Sequence, residues 1–384
     1  MGFEQTTAQE VLHCWTLLLG RDARPQTEPS PKIEIHPGGI EFEADLFVGL
    51  QLNFFLKTAN RILVRLAEFR VRDFPKFYQK MKSLPWSDYF EHGRVEFEIA
   101  AQKSRLNNEK RLGEISAEIL SEHFGKQLGS ETCGAVYIRM FDDVCTVSVD
   151  STGEHLHKRG WSTLKGEAPL RETIAAFILL KMLNSGRESK SNTITLIDPM
   201  VGSGTFLTEA RAIGFGQFSG PVAFQKWKKA PKLFLSSSFS FNYKLPLEAK
   251  FQKFLGFDIS DKMAAIAQKN FEEVERQVQM HQKKEFVKAD VRFVTENSLD
   301  LVDWPHEKNW LIVNPPYGER LDNSLSLQKL TTQYCHIFCP EKMGVIFPET
   351  QKIQKAPANY SVLEEIKINN GGIRCLLTIL QRSL

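Results

Sequence analysis

An apolar strand, a glycine-containing turn and a helix follow one another between residues 192 and 212, and this succession constrains the fold most. Positive φ and close approach of a ligand to the backbone are possible at Gly202 and Gly204, because glycine has no Cβ. The helix that follows begins with N–H groups that have no partner within the helix. A unit of this kind predicts a ligand site in a doubly wound α/β sheet. The predicted strand, turn and helix are Asn192–Ile197, Asp198-Pro199-Met200-Val201-Gly202-Ser203-Gly204-Thr205 and Phe206–Ala212.

The turn narrows the choice of ligand, although a tight turn without a ligand is the alternative. It lacks the Gly-Lys-Ser/Thr of a Walker loop and the third glycine of a dinucleotide fingerprint. S-adenosylmethionine suits what remains, because Asp198 can meet the methionine ammonium and the glycines leave room for the sulfonium. The predicted cofactor residues in this turn are Asp198, Pro199, Gly202, Ser203, Gly204 and Thr205.

Two later acidic residues complete the predicted pocket. A ligand of a doubly wound sheet lies across the carboxyl ends of successive strands. Asp258 ends the predicted strand Phe254–Phe257 and is placed for the ribose hydroxyls, while Asp290 follows the predicted strand Glu285–Val287 and is placed for the adenine amino group. Either residue could instead be an ordinary helix N-cap.

A third motif follows the apolar strand Trp310–Val313 and reads Asn314-Pro315-Pro316-Tyr317. The side-chain oxygen of Asn314 and the carbonyl of Pro315 can each accept a hydrogen of a planar NH2 group. Such acceptors return lone-pair density to the nitrogen, and proline fixes the carbonyl direction in advance. Tyr317 can stack on the ring of the base. The four residues are predicted to be catalytic, although an Asn-Pro turn is also a common loop signal.

The sequence resembles the THUMP-domain RNA methyltransferases, and among them the bacterial large-subunit rRNA guanine-N2 methyltransferases. The likeness covers most of the chain and includes the two motifs above, residues 156–161 (Leu-His-Lys-Arg-Gly-Trp) and residues 168–173 (Ala-Pro-Leu-Arg-Glu-Thr). It implies an enzyme that forms N2-methylguanosine in 23S rRNA from S-adenosylmethionine. It also implies cofactor contacts for Asp198, Asp258 and Asp290, and contact of Asn314 to Tyr317 with the target base.

Other functions stay open at this point. A guanine-N2 methyltransferase of tRNA is the first alternative, and another Asn-Pro-Pro-Tyr enzyme, such as an adenine-N6 methyltransferase, is the second. A non-enzymatic alternative is an RNA-binding ribosome assembly factor that keeps the cofactor fold as a scaffold.

Pattern and resemblance together predict the domain organisation. Residues 1–60 are expected to form a ferredoxin-like part, residues 61–150 a THUMP RNA-binding module and residues 151–166 a linker. Residues 167–384 are expected to form a class I, Rossmann-like methyltransferase domain. Its seven strands end in a hairpin through Asn369-Asn370-Gly371-Gly372.

Charge and composition agree with an RNA partner and exclude several classes. The net charge of +3 is mild, but residues 61–111 hold twelve Lys and Arg against seven Asp and Glu, and residues 221–254 hold seven Lys against one Glu. The second segment is rich in aromatics and reads as an insertion that either contacts RNA or covers apolar surface. No apolar run approaches the ~20 residues of a membrane span. The six cysteines form no Cys-x-x-Cys pair, so we expect a cytoplasmic protein without a metal site. The oligomeric state is left open.

Overall fold

The computed structural model describes residues 2–19, 30–91, 94–125, 132–162, 164, 170–186, 194–216, 222–235, 251–282, 286–302, 304, 308–316 and 326–383. None of the helices in these ranges has the length and apolar character needed to cross a membrane.

The N-terminal half begins with two helices and a small hairpin and continues with a four-stranded sheet. The helices are α1 (Glu4–Leu19) and α2 (Leu46–Phe55), with the hairpin strands β1 (Glu34–His36) and β2 (Gly39–Glu41) between them. The sheet region comprises β3 (Leu63–Arg70), α3 (Phe74–Lys82), β4 (Arg94–Gln102), α4 (Glu109–Phe124), β5 (Thr132–Phe141) and β6 (Val144–Asp150). Its strand order is β3-β6-β5-β4, with β4 and β5 parallel and the other pairs antiparallel.

Residues 1–60 do not form a ferredoxin-like sheet of their own in the part of the chain that the structure describes. They contribute two helices and a two-stranded hairpin. Trp15 of α1 and Phe54 of α2 lie in the same hydrophobic core as Val136 and Val147 of the four-stranded sheet. One core therefore serves residues on both sides of position 60. The boundary expected there stays a prediction. The THUMP assignment of residues 61–150 stays a prediction.

The C-terminal half is the predicted seven-stranded sheet with helices between its strands. Its strands are β7 (Ile194–Asp198), β8 (Phe251–Asp258), β9 (Asp290–Thr295), β10 (Asn309–Val313), β11 (Lys342–Pro348), β12 (Tyr360–Asn370) and β13 (Ile373–Arg382). Its helices are α5 (Glu172–Asn184), α6 (Thr205–Ala212), α7 (Asp261–Gln282) and α8 (Leu327–Phe338). The order is β12-β13-β11-β10-β7-β8-β9, with β13 antiparallel to both neighbours and the remaining pairs parallel. The predicted fold class and the terminal hairpin are confirmed.

One strand differs from its prediction in a way that matters for the site. The expected strand Glu285–Val287 is not formed in its described part, where residues 286–289 have no regular structure. The strand is β9, and its first residue, Asp290, pairs with Lys253. Its last residue, Thr295, pairs with Asp258, the last residue of β8. Asp290 therefore lies at the amino edge of the sheet.

Residues 222–235, which we call the strap, join the two halves. They leave the C-terminal half after α6, yet Phe224, Trp227 and Phe234 are buried in the core of the N-terminal half. The rings of Phe47 and Phe234 stack with their centroids 4.9 Å apart, and the N–H of Phe224 donates to the carbonyl of Ser151 over 3.1 Å. The strap therefore covers apolar surface, as one of the two readings of this insertion expected. Residues 236–250 of the insertion lie outside the described residues.

A buried ion pair also crosses between the halves. Arg159 and Glu209 are both fully buried, and the guanidinium Nε lies 3.3 Å from a carboxylate oxygen of Glu209 on α6. The same guanidinium donates to the backbone carbonyl of Lys57 over 2.5 Å. Burial, followed by the nearby Arg159 charge, lowers the pKa of the Lys57 ammonium to about 7. The helix that follows the glycine turn is thus fixed directly to the N-terminal half.

Candidate functional site

The predicted site residues gather where the parallel strands end. Asp198 is the last residue of β7 and Asp258 the last residue of β8, and the two strands pair with Asp198 opposite Gly256. Neighbouring strands lie about 4.8 Å apart. Asn314 directly follows β10, which pairs with β7 on its other side. Three of the predicted segments therefore lie side by side at the carboxyl edge of the sheet.

The turn after β7 has the backbone that its glycines predict. The φ angle is 51° at Gly202 and 84° at Gly204, in the left-handed region that favours glycine. The N–H of Met200 donates to Oδ1 of Asp198 over 3.1 Å, and the N–H of Val201 donates to the carbonyl of Phe257 over 2.8 Å. The first bond shapes the turn, and the second holds it against the end of β8.

The two glycines make room for different neighbours. A Cβ at Gly204 would lie 3.1 Å from the Cβ of Ala267 and 3.2 Å from its Cα, so this glycine allows α7 to pack closely on the turn. A Cβ at Gly202 would meet no described atom within 4 Å. Close packing on α7 is thus one reason for a glycine at position 204, and its predicted contact with the cofactor stays a prediction. At Gly202 the same direction is free of described atoms.

The start of α6 can accept an anion. Its N-cap is Gly204, which has no side chain to bond the first N–H groups of the helix. Ser203 and Thr205 lie beside this start, with their hydroxyl oxygens 3.3 Å apart. Asn270 of α7 donates to the carbonyl of Ser203 over 2.9 Å and so fixes the turn from behind. A carboxylate placed here would meet both free N–H groups and the positive end of the helix dipole.

Asp258 already organises the site through its carboxylate. Oδ2 accepts the N–H of Gly202 over 3.0 Å, and Oδ1 accepts the N–H of Ser260 over 2.9 Å. An ionised carboxylate offers about four lone-pair directions, so two remain for the hydroxyls of a ligand. The half-buried Asp258 is therefore both a support for the turn and a possible ligand contact.

Asp198 is electrostatically poised for a cation. Its side chain is buried, with 2% of the residue exposed. Burial raises the pKa of its carboxyl to about 8, and the neighbouring Asp258 charge acts in the same direction. One backbone N–H, from Met200, opposes this shift. A cationic ligand group would restore the ionised form, because an adjacent positive charge favours the carboxylate.

Asp290 is not part of this edge. It is exposed and opens β9, whereas residues that follow Thr295 lie beside Asp258. The N–H of Glu296 donates to the carbonyl of Asp258 over 3.0 Å. Ser298 is buried and its hydroxyl donates to the carbonyl of Pro199 over 2.9 Å, which ties this third loop to the glycine turn. Glu296 and the exposed Asn297 therefore occupy the place that the sequence had assigned to Asp290.

The structure places the beginning of the Asn-Pro-Pro-Tyr motif at the end of β10. Asn314 is half-buried, Pro315 is buried and Pro316 is exposed. Tyr317 lies outside the described residues, so its predicted role stays a prediction. Among the described residues, no three or more His, Cys, Asp and Glu side chains are grouped as metal ligands would be.

Comparison with known proteins adds a family match. Residues 159–379 match the family described as "RMKL-like, methyltransferase domain". The chain is 30% identical over 362 residues to the "Ribosomal RNA large subunit methyltransferase K/L" of Psychromonas ingrahamii, an alignment that covers 88% of this chain and 45% of that protein. The chain thus spans less than half the length of this relative. It is 28% identical over 360 residues to the "Putative RNA methyltransferase YpsC" of Bacillus subtilis, and the alignment covers 88% of this chain and 83% of that protein.

A solved structure supports the fold. The crystal structure of SMU.472, "a putative methyltransferase complexed with SAH", superposes with a TM-score of 0.71 and 24% identity. The alignment covers 100% of this chain and 96% of the other. Both halves of the chain, with the seven-stranded sheet at the C-terminal end, therefore recur together in another protein.

Proposed function

We propose that this chain, which belongs to the RMKL-like methyltransferase-domain family, is an S-adenosylmethionine-dependent RNA methyltransferase. The single observation that carries the proposal is the arrangement of Asp198, Gly202 and Asp258 at one edge of the class I sheet. The finer proposal is that the product is N2-methylguanosine in 23S rRNA. It is supported by the motif resemblance and by the large-subunit rRNA methyltransferase name of a relative.

The residues at this edge fit S-adenosylmethionine on their own chemistry. Asp198 is a buried carboxyl that a ligand ammonium would ionise, and Asp258 has lone pairs left for two hydroxyls. The start of α6 suits the methionine carboxylate, and Gly202 faces the open space that a ligand needs. Glu296 and Asn297 are proposed at the adenine in place of Asp290, because they follow the strand that pairs with β8.

When bound, the cofactor would supply a methyl group made electrophilic by its sulfonium. The protein's part is to hold the target amine in line with that methyl and to accept its hydrogens. We assign the acceptor roles to the side-chain oxygen of Asn314 and the carbonyl of Pro315, with Tyr317 stacking on the base. Positioning and preset acceptors lower the barrier without a dedicated general base. We also propose that this reaction takes place in the cytoplasm, where bacterial ribosomes are assembled.

A deletion strain tests the proposal. The purified protein should transfer a labelled methyl group to rRNA prepared from cells that lack it, and digestion should yield N2-methylguanosine. Wild-type rRNA, which already carries the modification, is the matched control and should accept little label. Label in tRNA would favour the tRNA alternative. N6-methyladenosine in the digest would mean that the target base is adenine and not guanine. No transfer to any RNA would leave the assembly-factor function.

A further inference from the structure

An exposed aromatic side chain lies at one end of the four-stranded sheet. Phe141 is the last residue of β5, and 55% of it is exposed. Along this strand, Val136, Ile138 and Met140 are buried in the core, while the alternate residues face outward. Phe141 therefore belongs to the outer face and contributes nothing to the core. A single exposed aromatic side chain is common on protein surfaces. The charged residues near Phe141 make a binding role worth testing.

Four cations lie at the same end of the sheet as this ring, and one of them contacts it. We call the group formed by Arg70, Arg72, Lys103, Arg105 and Phe141 the Phe141 edge. All five side chains belong to exposed residues, and β3, β4 and β5 end there together. The ammonium of Lys103 lies 5.4 Å from the ring centroid of Phe141, within range of a cation–π contact. Within the described ranges, Arg70, Lys103 and Arg105 form no direct ion pair, although the Arg70 charge helps to lower the pKa of Asp143.

One acidic residue, Asp143, fixes the backbone of the Phe141 edge. Asp143 accepts the N–H of Arg105 over 2.8 Å and the Nε–H of Arg72 over 2.6 Å. Its own N–H donates to the hydroxyl of Ser104 over 3.0 Å, and its carbonyl accepts the N–H of Val71 over 2.9 Å. These bonds join the ends of three strands into one preordered surface. A ligand would therefore meet the cations without a large ordering cost.

The charges of the Phe141 edge indicate what kind of partner it fits. Lys103 adopts a left-handed backbone with φ of 48°, a conformation uncommon for residues other than glycine, and its ammonium lies over the ring. Asp143 is already engaged by Arg72 and by backbone groups, so Asp142 is the one exposed acid of the turn. Three cations without ion pairs beside an exposed π-face suit a partner that carries both negative charge and flat rings.

Single-stranded RNA has this chemistry. Its phosphates meet Arg and Lys, and its unstacked bases can stack on an aromatic side chain. A duplex hides its base faces, and an acidic peptide carries flat rings only where it contains aromatic residues. We propose that the Phe141 edge binds a single-stranded segment of the RNA substrate, with one base stacked on Phe141 and phosphates on Lys103 and Arg105. This inference rests on the proposed function and deepens it by naming an RNA-binding surface away from the carboxyl edge of the seven-stranded sheet.

Binding of a non-self-complementary RNA oligonucleotide of about ten nucleotides, followed by fluorescence anisotropy, tests the proposal. We expect Phe141→Ala to weaken binding about tenfold, Phe141→Leu to weaken it nearly as much and Phe141→Trp to keep it, because only the last retains a π-face. Removing Lys103 and Arg105 together should reduce the slope of log affinity against log salt by about 1.4, at about 0.7 per phosphate contact. Lys80→Ala, which removes an exposed cation on α3, is the matched control and should bind as the wild type does.

The outcomes separate this proposal from the catalytic one. If the wild type methylates RNA while all Phe141 variants bind the oligonucleotide equally, the edge is not a stacking site and the enzymatic function stands. Stronger binding of the matching duplex or of polyglutamate than of the single strand would also overturn it. If the wild type neither binds nor methylates RNA, both proposals fail. Unchanged thermal unfolding of the variants, expected for exposed side chains, shows that loss of binding is not loss of fold.

Discussion

The N–H of Gly202 donates to a carboxylate oxygen of Asp258 over 3.0 Å, so the glycine turn after one strand is held by the acid that ends the next. A mutation of Asp258 should therefore act twice, through the ligand hydroxyls and through the turn. We expect Asp258→Ala to weaken S-adenosylmethionine binding by 10- to 100-fold, the loss of about 1.5–3 kcal/mol for a hydrogen bond to a charged group.

Calorimetry checks this expectation against a neighbouring acid. Asp261→Ala removes an exposed carboxylate three residues further along, at the start of α7, and should leave affinity nearly unchanged. 5′-Methylthioadenosine keeps the ribose but lacks the amino acid, so its binding should suffer from Asp258→Ala as well. Equal affinity of the two variants would contradict the ribose role.

The buried carboxyl of Asp198 should make cofactor binding depend on pH. Its pKa is raised to about 8 by burial, so at pH 6 it is protonated, and binding of a cation must release that proton. Affinity should rise up to tenfold per pH unit between pH 6 and 7.5, and should level off near pH 8. There the ligand ammonium, with an ordinary pKa of about 8, begins to lose its own proton. Asp198→Asn should bind more weakly with a flat profile between pH 6 and 7.5, and 5′-methylthioadenosine should show little pH dependence.

The same carboxyl should make the ligand-free protein less stable as pH rises. A folded pKa raised above the unfolded value means that the unfolded chain releases the proton first, so stability falls between about pH 4 and pH 8. Asp198→Asn cannot ionise and should escape this loss. Its melting temperature should exceed that of the wild type by more at pH 8 than at pH 5, in scans without ligand. A constant difference would show that Asp198 is not the titrating group.

Sequence patterns could predict the site at the carboxyl edge of the seven-stranded sheet, but not every residue that lies there. Asp198, Asp258 and Asn314 each follow an unambiguous apolar strand, so their places were predictable. Residues 286–289 and Asp290–Thr295 both contain apolar residues suited to a strand, and only pairing with β8 decides between them. That pairing is a long-range property, and a short apolar run carries no signal for it.

The strap shows the same limit at larger scale. Its aromatics and lysines predict an amphipathic cover, yet the core that receives Phe224 and Phe234 belongs to the other half of the chain. A chain beginning at residue 151 would expose these rings, and we expect it to aggregate. Replacing Phe224, Trp227 and Phe234 with Ser should restore solubility to that fragment, as measured by gel filtration. The same triple change in the full chain should lower its melting temperature sharply, because truncating each buried ring costs about 3–5 kcal/mol.

The two glycines of the turn should separate binding from folding. Gly204→Ala forces a strained φ and a contact of 3.1 Å with Ala267, so it should lower the free energy of unfolding by about 1–3 kcal/mol. Gly202→Ala meets no described atom, and its methyl would occupy the open space proposed for the ligand. It should weaken S-adenosylmethionine binding more than tenfold for a smaller loss of stability. Gly371→Ala has a similar φ of 60° in the distant β12–β13 turn and measures the strain alone.

Asn314 should act on the methyl transfer and not on the cofactor. It follows β10 at the carboxyl edge of the sheet, and its side-chain oxygen is the proposed acceptor for the target NH2. We expect Asn314→Ala to keep S-adenosylmethionine affinity and to lower the single-turnover methylation rate by about 10²–10³, the usual loss of one preset polar partner. Asn314→Asp keeps an acceptor oxygen and should lose less. An unchanged rate in Asn314→Ala would remove the acceptor mechanism, whereas N6-methyladenosine as the product would keep the mechanism and change the substrate from guanine to adenine.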